Sequence, residues 1–195
     1  MFTKKTPIQD LLIIEPVVHY DNRGYFLESW RADKYGIIDT AASQVLQFNQ
    51  SYSEYGVLRG LHYQRNNTQG KLVRVVHGSI WDVVVDLRSD SKTFRRWYGL
   101  NLQGPCLSAQ GKIPYQQLWV PPGLAHGFMV LSPHAIVEYG CSALYKPEEE
   151  VSLHWNDPDL NISWPIRPIH ISRKDSTAIT LQQIIEKGYL PSKNA

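Results

Sequence analysis

The stretch KLVRVVHGSIWDVVVDL (residues 71–87) is the most strongly β-patterned part of the sequence. It is rich in Val, and β-branched residues favour strands. Segments of similar character, separated by Gly, Pro, Asn and Asp, lie at residues 11–20, 56–63, 97–102, 116–123, 126–132 and 135–144. This spacing predicts an all-β fold of many short antiparallel strands in a barrel or jelly roll, which leaves few strand edges exposed.

Helical patterns are sparse. Residues 31–37 (RADKYGI) predict at most a short helical turn, and Leu181, Ile184 and Ile185 have the spacing of a short C-terminal helix that Gly188 would end. The composition of residues 103–117 (QGPCLSAQGKIPYQQ) indicates a long loop. No linker divides the 195 residues, so we expect a single domain over residues 1–195.

The overall composition excludes several classes of protein. A net charge of +2 is too small for a general nucleic-acid binder, so any anionic ligand must be held by local cations. No apolar run reaches the roughly 18 residues of a membrane span. The two cysteines, Cys106 and Cys141, could pair, but the start MFTKKTPIQDLL is not a secretory signal. We therefore expect a reduced, cytoplasmic protein.

The motif RGLHYQ (residues 59–64) contains His62, which could be a metal ligand, a base or a polar residue on a strand. Metal-binding β-barrels often use a His-x-His pair with a carboxylate and a further histidine. Here Tyr63 and Gln64 follow His62, and PPGLAHG supplies only His126. Two isolated histidines without a nearby carboxylate on the expected strand make a poor metal site, so no metal is expected.

Several motifs together indicate a family. In order, they are DNRGYFLES, QFNQS, RGLHYQ, GKLVRVVHG, WDVVVDLR, QLWVPPGLAHGF, HWNDPDLNISWP and SRKD. Between about residues 8 and 178, the sequence resembles the dTDP-4-dehydrorhamnose 3,5-epimerase family in motif order and approximate spacing. The resemblance implies a cupin-type jelly roll without metal or cofactor. It also implies removal and return of protons beside the ketone of a nucleotide-linked 4-keto-6-deoxy sugar, in deoxysugar (dTDP-L-rhamnose) biosynthesis.

The resemblance assigns four catalytic roles. His62 matches the base, and Asp175 matches the carboxylate that fixes its tautomer. Lys71 matches the cation beside the sugar C4 oxygen, and Tyr139 matches the acid on the opposite face. These residue types suit the chemistry, because an α-proton requires a base near neutral pKa, a group that stabilises the enolate and a proton donor. Taken singly, they could instead be a strand histidine, a solvated lysine and a core tyrosine.

The resemblance also implies a set of substrate-binding residues. The diphosphate would be bound by arginines, which bind phosphate oxygens bidentately. The pyrimidine of the nucleotide would be bound by side-chain amides. The matching residues are Arg23, Phe26, Glu28, Gln47, Asn49, Arg59, His126 and Tyr145. The segment with Arg23 and Phe26 would reach the partner subunit's site in a homodimer. Tyr145 follows Leu144, where the family usually has an aromatic residue that stacks on thymine. Each could alone be a surface or turn residue.

Three alternatives stay open from the sequence. The enzyme could invert only one centre or act on another nucleotide sugar. It could be a metal-dependent cupin, which the missing His-x-His pair disfavours. It could also be a non-catalytic sugar- or nucleotide-binding module, which the retention of base, carboxylate, cation and acid disfavours.

Overall fold

The computed structural model describes residues 1–105 and 115–192. Their strands are β1 (Phe2–Lys5), β2 (Leu12–Glu15), β3 (Val18–Asp21), β4 (Gly24–Leu27), β5 (Gln47–Glu54), β6 (Val57–Gln64), β7 (Lys71–His77), β8 (Ser79–Asp86), β9 (Trp97–Gln103), β10 (Gln117–Val120), β11 (Leu124–Val130), β12 (His134–Cys141), β13 (Glu150–Ser152) and β14 (His170–Ile171). The helices are α1 (Ala32–Tyr35), α2 (Arg173–Ser176) and α3 (Leu181–Glu186). Two 3₁₀ turns lie at Thr40–Ser43 and Pro147–Glu149.

The strands form two large sheets and one separate hairpin. The first sheet has the order β1-β2-β10-β7-β12-β5, and the second has the order β13-β6-β11-β8-β9, with β14 added beside β6. Strands β3 and β4 pair with each other as a hairpin. All pairings between named strands are antiparallel except that of β14 with β6.

The main core lies between the two large sheets. Buried side chains of both sheets form one cluster, which includes Val73 and Val137 from the first sheet and Ile80, Val84 and Phe128 from the second. Alternate strand residues face this cluster because successive side chains point to opposite faces of a sheet. The sheets are therefore the two walls of a sandwich, and a site between them receives side chains from both.

Two smaller clusters cover the outer faces of the sheets. On the second sheet, Leu61 and Val83 pack beneath the C-terminal segment, which contributes Leu181 and Ile184. The outer face of the first sheet packs Trp119 and other residues against the segment that contains α1. The C-terminal segment also supplies one side of the candidate site through α2.

The predicted C-terminal helix is confirmed as α3. Its N-terminus has a capping box, in which the Thr180 side chain accepts from the Gln183 backbone N–H and the Gln183 side chain accepts from the Thr180 N–H. Gly188, with φ of +64°, follows its end, as expected for a left-handed terminating residue. The short turn predicted at residues 31–37 is also present as α1.

The all-β jelly-roll prediction is confirmed, and every segment with the predicted strand pattern contains a strand. The described part of the chain forms two large sheets and a separate hairpin rather than one closed hydrogen-bonded wall. Strands β1, β4, β5, β13 and β14 were not predicted. The predicted 103–117 loop falls largely on residues 106–114, outside the described residues, as does Cys106. Cys141 is a free, buried thiol.

None of the described helices has the length and hydropathy to span a membrane.

Candidate active site

A cavity of about 550 Å³ opens between the two large sheets. The second sheet contributes His62 and His126, and the first sheet contributes Lys71 and Tyr139. Asp175, from α2, closes one side. The remaining wall is formed by Ser51, Val57, Leu58, Arg59, Gly127, Phe128, His170, Ile171, Ser172 and Lys174.

His62 and Asp175 form a hydrogen-bonded pair. The His62 Nε2 atom lies 2.6 Å from Asp175 Oδ1, although the two residues are 113 positions apart. Asp175 is held by α2, where the Ser172 hydroxyl caps the helix by accepting from the Asp175 backbone N–H at 3.1 Å. The second carboxylate oxygen, Oδ2, accepts from the Gly60 N–H at 3.3 Å. The carboxylate is thus fixed from two sides.

Gly60 allows β6 to approach β11 closely at this point. Its φ is +122°, and a Cβ atom there would lie 2.6 Å from the Gly127 Cα. Any side chain would therefore separate the two strands and strain the backbone. The close approach accompanies direct pairing of His62 with His126 across β6 and β11, and it places the Gly60 N–H against Asp175.

The hydrogen bonds of Asp175 favour its ionised form. Burial raises the pKa of this carboxyl group, but hydrogen bonds from His62 and the Gly60 N–H more than compensate, and the pKa falls below its ordinary value. An ionised Asp175 accepts a hydrogen bond from the Nε2–H of His62. The other ring nitrogen, Nδ1, then has the lone pair and can act as a base.

Lys71 and Tyr139 lie side by side on the first sheet. The Lys71 ammonium is 6.0 Å from the centroid of the Tyr139 ring and donates a hydrogen bond to the His62 carbonyl at 3.3 Å. Burial lowers the pKa of Lys71, and burial also raises the pKa of Tyr139. Lys71 is therefore a buried lysine rather than a solvated one, and the Tyr139 phenol keeps its proton near neutral pH.

Glu150 is a second carboxylate close to His62. Its Oε1 atom lies 4.0 Å from His62 Nδ1, and its Oε2 atom accepts from Lys174 Nζ at 2.7 Å and from the Tyr145 hydroxyl at 2.8 Å. Burial raises the pKa of Glu150, but the hydrogen bonds from Lys174 and Tyr145 outweigh this effect, so the pKa lies below its ordinary value. An anionic Glu150 stabilises an imidazolium at His62.

A smaller cavity continues from the main one past His62, Lys71 and Tyr139. It is also lined by Asn49, Tyr145 and Glu150. Gln47 lies beside it, donating to Asn49 Oδ1 at 2.9 Å and accepting from the Tyr145 N–H at 3.0 Å. The structure thus brings these three predicted polar residues, Gln47, Asn49 and Tyr145, together.

His126 also has a carboxylate partner. Its Nε2 atom lies 2.8 Å from Asp82 Oδ2, and Asp82 is fully buried. Both histidines thus have a carboxylate partner, Asp175 for His62, as the resemblance implied, and Asp82 for His126, and the fold supplies both carboxylates from distant positions. Within residues 1–105 and 115–192, these side chains form two separate pairs and no group of three or more possible metal ligands.

The predicted arginines lie in different places. Arg59 lines the cavity, and its Nε donates to the Ser53 hydroxyl at 2.9 Å. Arg23 is exposed on the β3–β4 hairpin and pairs with Asp21 at 2.5 Å. Phe26 and Glu28 line a separate cavity of about 320 Å³. Within this chain, Arg23, Phe26 and Glu28 are not brought to the site.

Three residues of the site were missed in the sequence. Lys174 precedes Asp175 in SRKD, and a cation next to a matched residue was a usable signal. Asp82 interrupts the apolar face of β8 that Ile80 and Val84 share, and an acid at a core-facing position indicates a buried partner. No sequence signal marks Glu150 among the neighbouring acids.

The sequence profile of dTDP-4-dehydrorhamnose 3,5-epimerase matches residues 5–183. The chain belongs to the dTDP-4-dehydrorhamnose 3,5-epimerase family. The family resemblance seen in the motifs is confirmed, and the protein is an isomerase of the epimerase class.

Individual relatives agree with the family profile. The dTDP-4-dehydrorhamnose 3,5-epimerase of Salmonella typhimurium is 43% identical over 187 residues, covering 95% of this chain and 98% of the relative. The Neisseria gonorrhoeae epimerase is 46% identical over 179 residues, which cover 91% of this chain. This chain spans about half (52%) of that relative's length.

A solved relative shares the whole fold. The dTDP-6-deoxy-D-glucose-3,5-epimerase of Legionella pneumophila, determined in complex with dTDP-4-keto-L-rhamnose, is 43% identical with a TM-score of 0.88. The match covers 100% of this epimerase-family chain and 99% of the Legionella chain. The cupin-type jelly roll expected from the motifs is thereby confirmed.

Proposed function

We propose that this protein inverts C3 and C5 of a dTDP-linked 4-keto-6-deoxy sugar in dTDP-L-rhamnose biosynthesis, by proton abstraction and return. The observation that carries the proposal is the His62–Asp175 pair at 2.6 Å in a cavity that also contains Lys71 and Tyr139. The relatives support the substrate class, since the Legionella enzyme was solved with dTDP-4-keto-L-rhamnose.

His62 removes the α-proton in this proposal. Asp175 holds the proton of Nε2, so Nδ1 is the nitrogen that accepts the proton from carbon. The imidazolium that forms lies between two carboxylates, Asp175 at 2.6 Å and Glu150 at 4.0 Å. Both favour the charged ring, and they stabilise the transition state in which the proton is transferred.

Lys71 stabilises the enolate. Its ammonium is almost entirely removed from water, and burial lowers its pKa. A buried cation gains most from a nearby anion, and the sugar C4 oxygen becomes anionic only as the α-proton leaves. Lys71 therefore binds the enolate more strongly than the ketone, which is the condition for accelerating the reaction.

Tyr139 returns the proton on the other face. Inversion requires the proton to leave from one face of the sugar and to arrive on the opposite one. His62 belongs to the second sheet and Tyr139 to the first, and both line the cavity between them. The raised pKa of the Tyr139 phenol, caused first by burial, keeps the proton available for the carbanion.

The nucleotide diphosphate is bound at the edge of the cavity. Arg59 is anchored through its Nε by Ser53, and Lys174 is a second cation on the wall. These side chains suit phosphate oxygens. The amides of Gln47 and Asn49 suit the edge of a pyrimidine, and Tyr145 offers an aromatic ring beside them. His126, which also lines the cavity, suits a hydrogen bond to an oxygen of the sugar.

We also propose a homodimer. The β3–β4 hairpin exposes Phe26, which is 72% accessible, next to Arg23. The outer face of the first sheet exposes Phe48 and Tyr52, of which Tyr52 is 58% accessible. Exposed aromatic residues on a sheet face and on a hairpin are typical of an interface. In the dimer, Arg23, Phe26 and Glu28 would complete the partner subunit's substrate site.

Two matched variants test the shared site. Arg23→Ala and His62→Ala should each have low activity alone, whereas a refolded mixture should regain up to about a quarter of wild-type activity, because half the dimers contain one complete site. Failure of the mixture to regain activity, although both variants dimerise, would contradict sharing of Arg23. A fully active monomer in light scattering at the assay concentration would contradict the dimer itself.

The reaction is tested with dTDP-4-keto-6-deoxyglucose in deuterated water, by following label at C3 and C5 separately by NMR. We expect label at both positions and inverted product. Label at only one position would show a single-centre epimerase, and absence of label would overturn the proposal. Assaying metal-depleted protein in parallel tests the expectation of no metal and no cofactor. The single domain and the cytoplasmic location stay predictions.

A further inference from the structure

Residues 142–146 (SALYK) connect β12 to the 3₁₀ turn at Pro147–Glu149 and belong to no helix or strand. The segment contains Tyr145, which lines the smaller cavity and is 47% accessible. Its neighbours Leu144 and Lys146 are also exposed. An exposed segment without regular structure is mobile unless its backbone is held by other groups. The position of the Tyr145 ring therefore depends on the hydrogen bonds of the backbone around it.

Side-chain amides hold the backbone of four consecutive residues, 143–146. The bonds join Gln64 to the Lys146 N–H (2.7 Å) and the Leu144 carbonyl (3.4 Å), Gln69 to the Ala143 carbonyl (2.7 Å), Asn67 to the Leu144 carbonyl (3.1 Å) and Gln47 to the Tyr145 N–H (3.0 Å). Gln64 both accepts and donates, as the backbone of a neighbouring strand would. These amides thus replace the strand partner that the segment lacks.

Two of these amides are buried. Gln64 is 4% accessible and Gln69 is 8% accessible. A buried amide is costly unless it is hydrogen-bonded. Gln64 finds its partners in the segment and in the Asn67 carbonyl at 2.6 Å, and the Nε2 of Gln69 finds its partner in Ala143. Because an apolar side chain would fill either position without this requirement, the contribution of the two amides is to fix the segment.

Gln64 connects the segment to the reacting centre. It is the last residue of β6 and lies two positions after His62, so both side chains lie on the same face of the strand and line the smaller cavity. The strand that positions the base thus also positions Tyr145. The Tyr145 hydroxyl in turn donates to Glu150, which lies 4.0 Å from His62 Nδ1.

We propose that Gln64, together with Gln69, is a positioning residue that fixes residues 143–146 and so places Tyr145 for binding of the nucleotide base. The inference rests on the proposed function, in which Tyr145 lies beside the pyrimidine. A ring that is already fixed binds the base without the entropic cost of being ordered first. The two glutamines therefore act on the affinity for dTDP through Tyr145.

Gln64→Met tests this role, because it keeps the length of the side chain and removes its hydrogen bonds. We expect faster hydrogen exchange of the Lys146 N–H by NMR and roughly tenfold weaker binding of dTDP by calorimetry, from impaired stacking. Binding of inorganic pyrophosphate, which needs only the cations of the cavity, should not change. Gln69→Met removes one of these bonds and should show smaller changes in the same direction.

Trp97→Phe is the control, because the Trp97 Nε1–H also bonds to a loop carbonyl, that of Leu160, outside the cavity. It should change neither affinity. An equal loss of pyrophosphate and dTDP affinity in Gln64→Met would indicate general damage and overturn the proposal, as would dTDP affinity within twofold of wild type. Failure of the wild type to bind dTDP would refute the proposed function, whereas unchanged Lys146 exchange without ligand would refute the positioning role.

Discussion

Replacing Asp175 with Asn should reverse the tautomer of the base. The Gly60 N–H donates to Asp175 Oδ2 at 3.3 Å, so the amide oxygen of the new side chain keeps this position. Its NH₂ group then faces His62 Nε2, which must become the acceptor. The proton moves to Nδ1, the nitrogen that should receive the α-proton, so the folded variant contains a histidine of the wrong polarity.

The size of the effect follows from two losses. The carboxylate–imidazolium attraction amounts to about 4 kcal/mol for unit charges about 4 Å apart at an effective dielectric constant of about 20. Restoring the productive tautomer costs about 1 kcal/mol more, because a buried hydrogen bond is lost. Together these correspond to a fall in turnover of roughly 10³–10⁴-fold. Affinity for dTDP should change little, since Asp175 acts on the base.

The assay is NMR of solvent deuterium entering C3 and C5, with affinity for dTDP measured by calorimetry. Asp157→Asn is a matched control, because Asp157 is also buried and accepts from the Leu160 and Leu181 N–H groups outside the cavity. It should lower stability but not turnover per folded molecule. Turnover of Asp175→Asn within tenfold of wild type would refute the reasoning about the tautomer.

Three further outcomes are expected. His62→Ala should abolish exchange at both centres while the fold and dTDP affinity persist, and retention of more than a few per cent of wild-type exchange would exclude it as the sole base. In Tyr139→Phe, deuterium from solvent should still enter the substrate on the face that His62 serves, but about 10²-fold less inverted product should form. A near wild-type rate of inversion would show that Tyr139 is only a core tyrosine. Because the folded pKa of Asp175 lies below its ordinary value of 3.8, its carboxylate stabilises the fold above that pH, and this contribution disappears as pH falls through the folded pKa. Urea unfolding should therefore show the stability difference between wild type and Asp175→Asn shrinking between about pH 5 and pH 3, whereas a constant difference would contradict an ionised Asp175.

The sequence by itself determined the strands that have apolar patterns. Segments such as residues 71–87 carry enough β-branched side chains to indicate their structure locally, and α3 has its own capping residues. Strands β1 and β5 were not predicted from the sequence, and the reason is physical. All four residues of β1 are exposed, and β5 is an edge strand with polar residues on its inner face, so both depend on hydrogen bonds to a neighbouring strand.

The motifs also determined the family and the chemical character of the site, because His62, Lys71 and Tyr139 are recognisable from their immediate neighbours. The resemblance also implied the pairing of His62 with Asp175, but only the tertiary structure shows the geometry of that pair and the pairing of His126 with Asp82. Asp175 and Asp82 reach their histidines across 113 and 44 positions of sequence, and no local pattern encodes such contacts. Burial and the number of donors around each carboxylate are properties of the packed sandwich. They determine the hydrogen-bond partners of Asp175 and favour its ionised form, and no short stretch of the sequence specifies either.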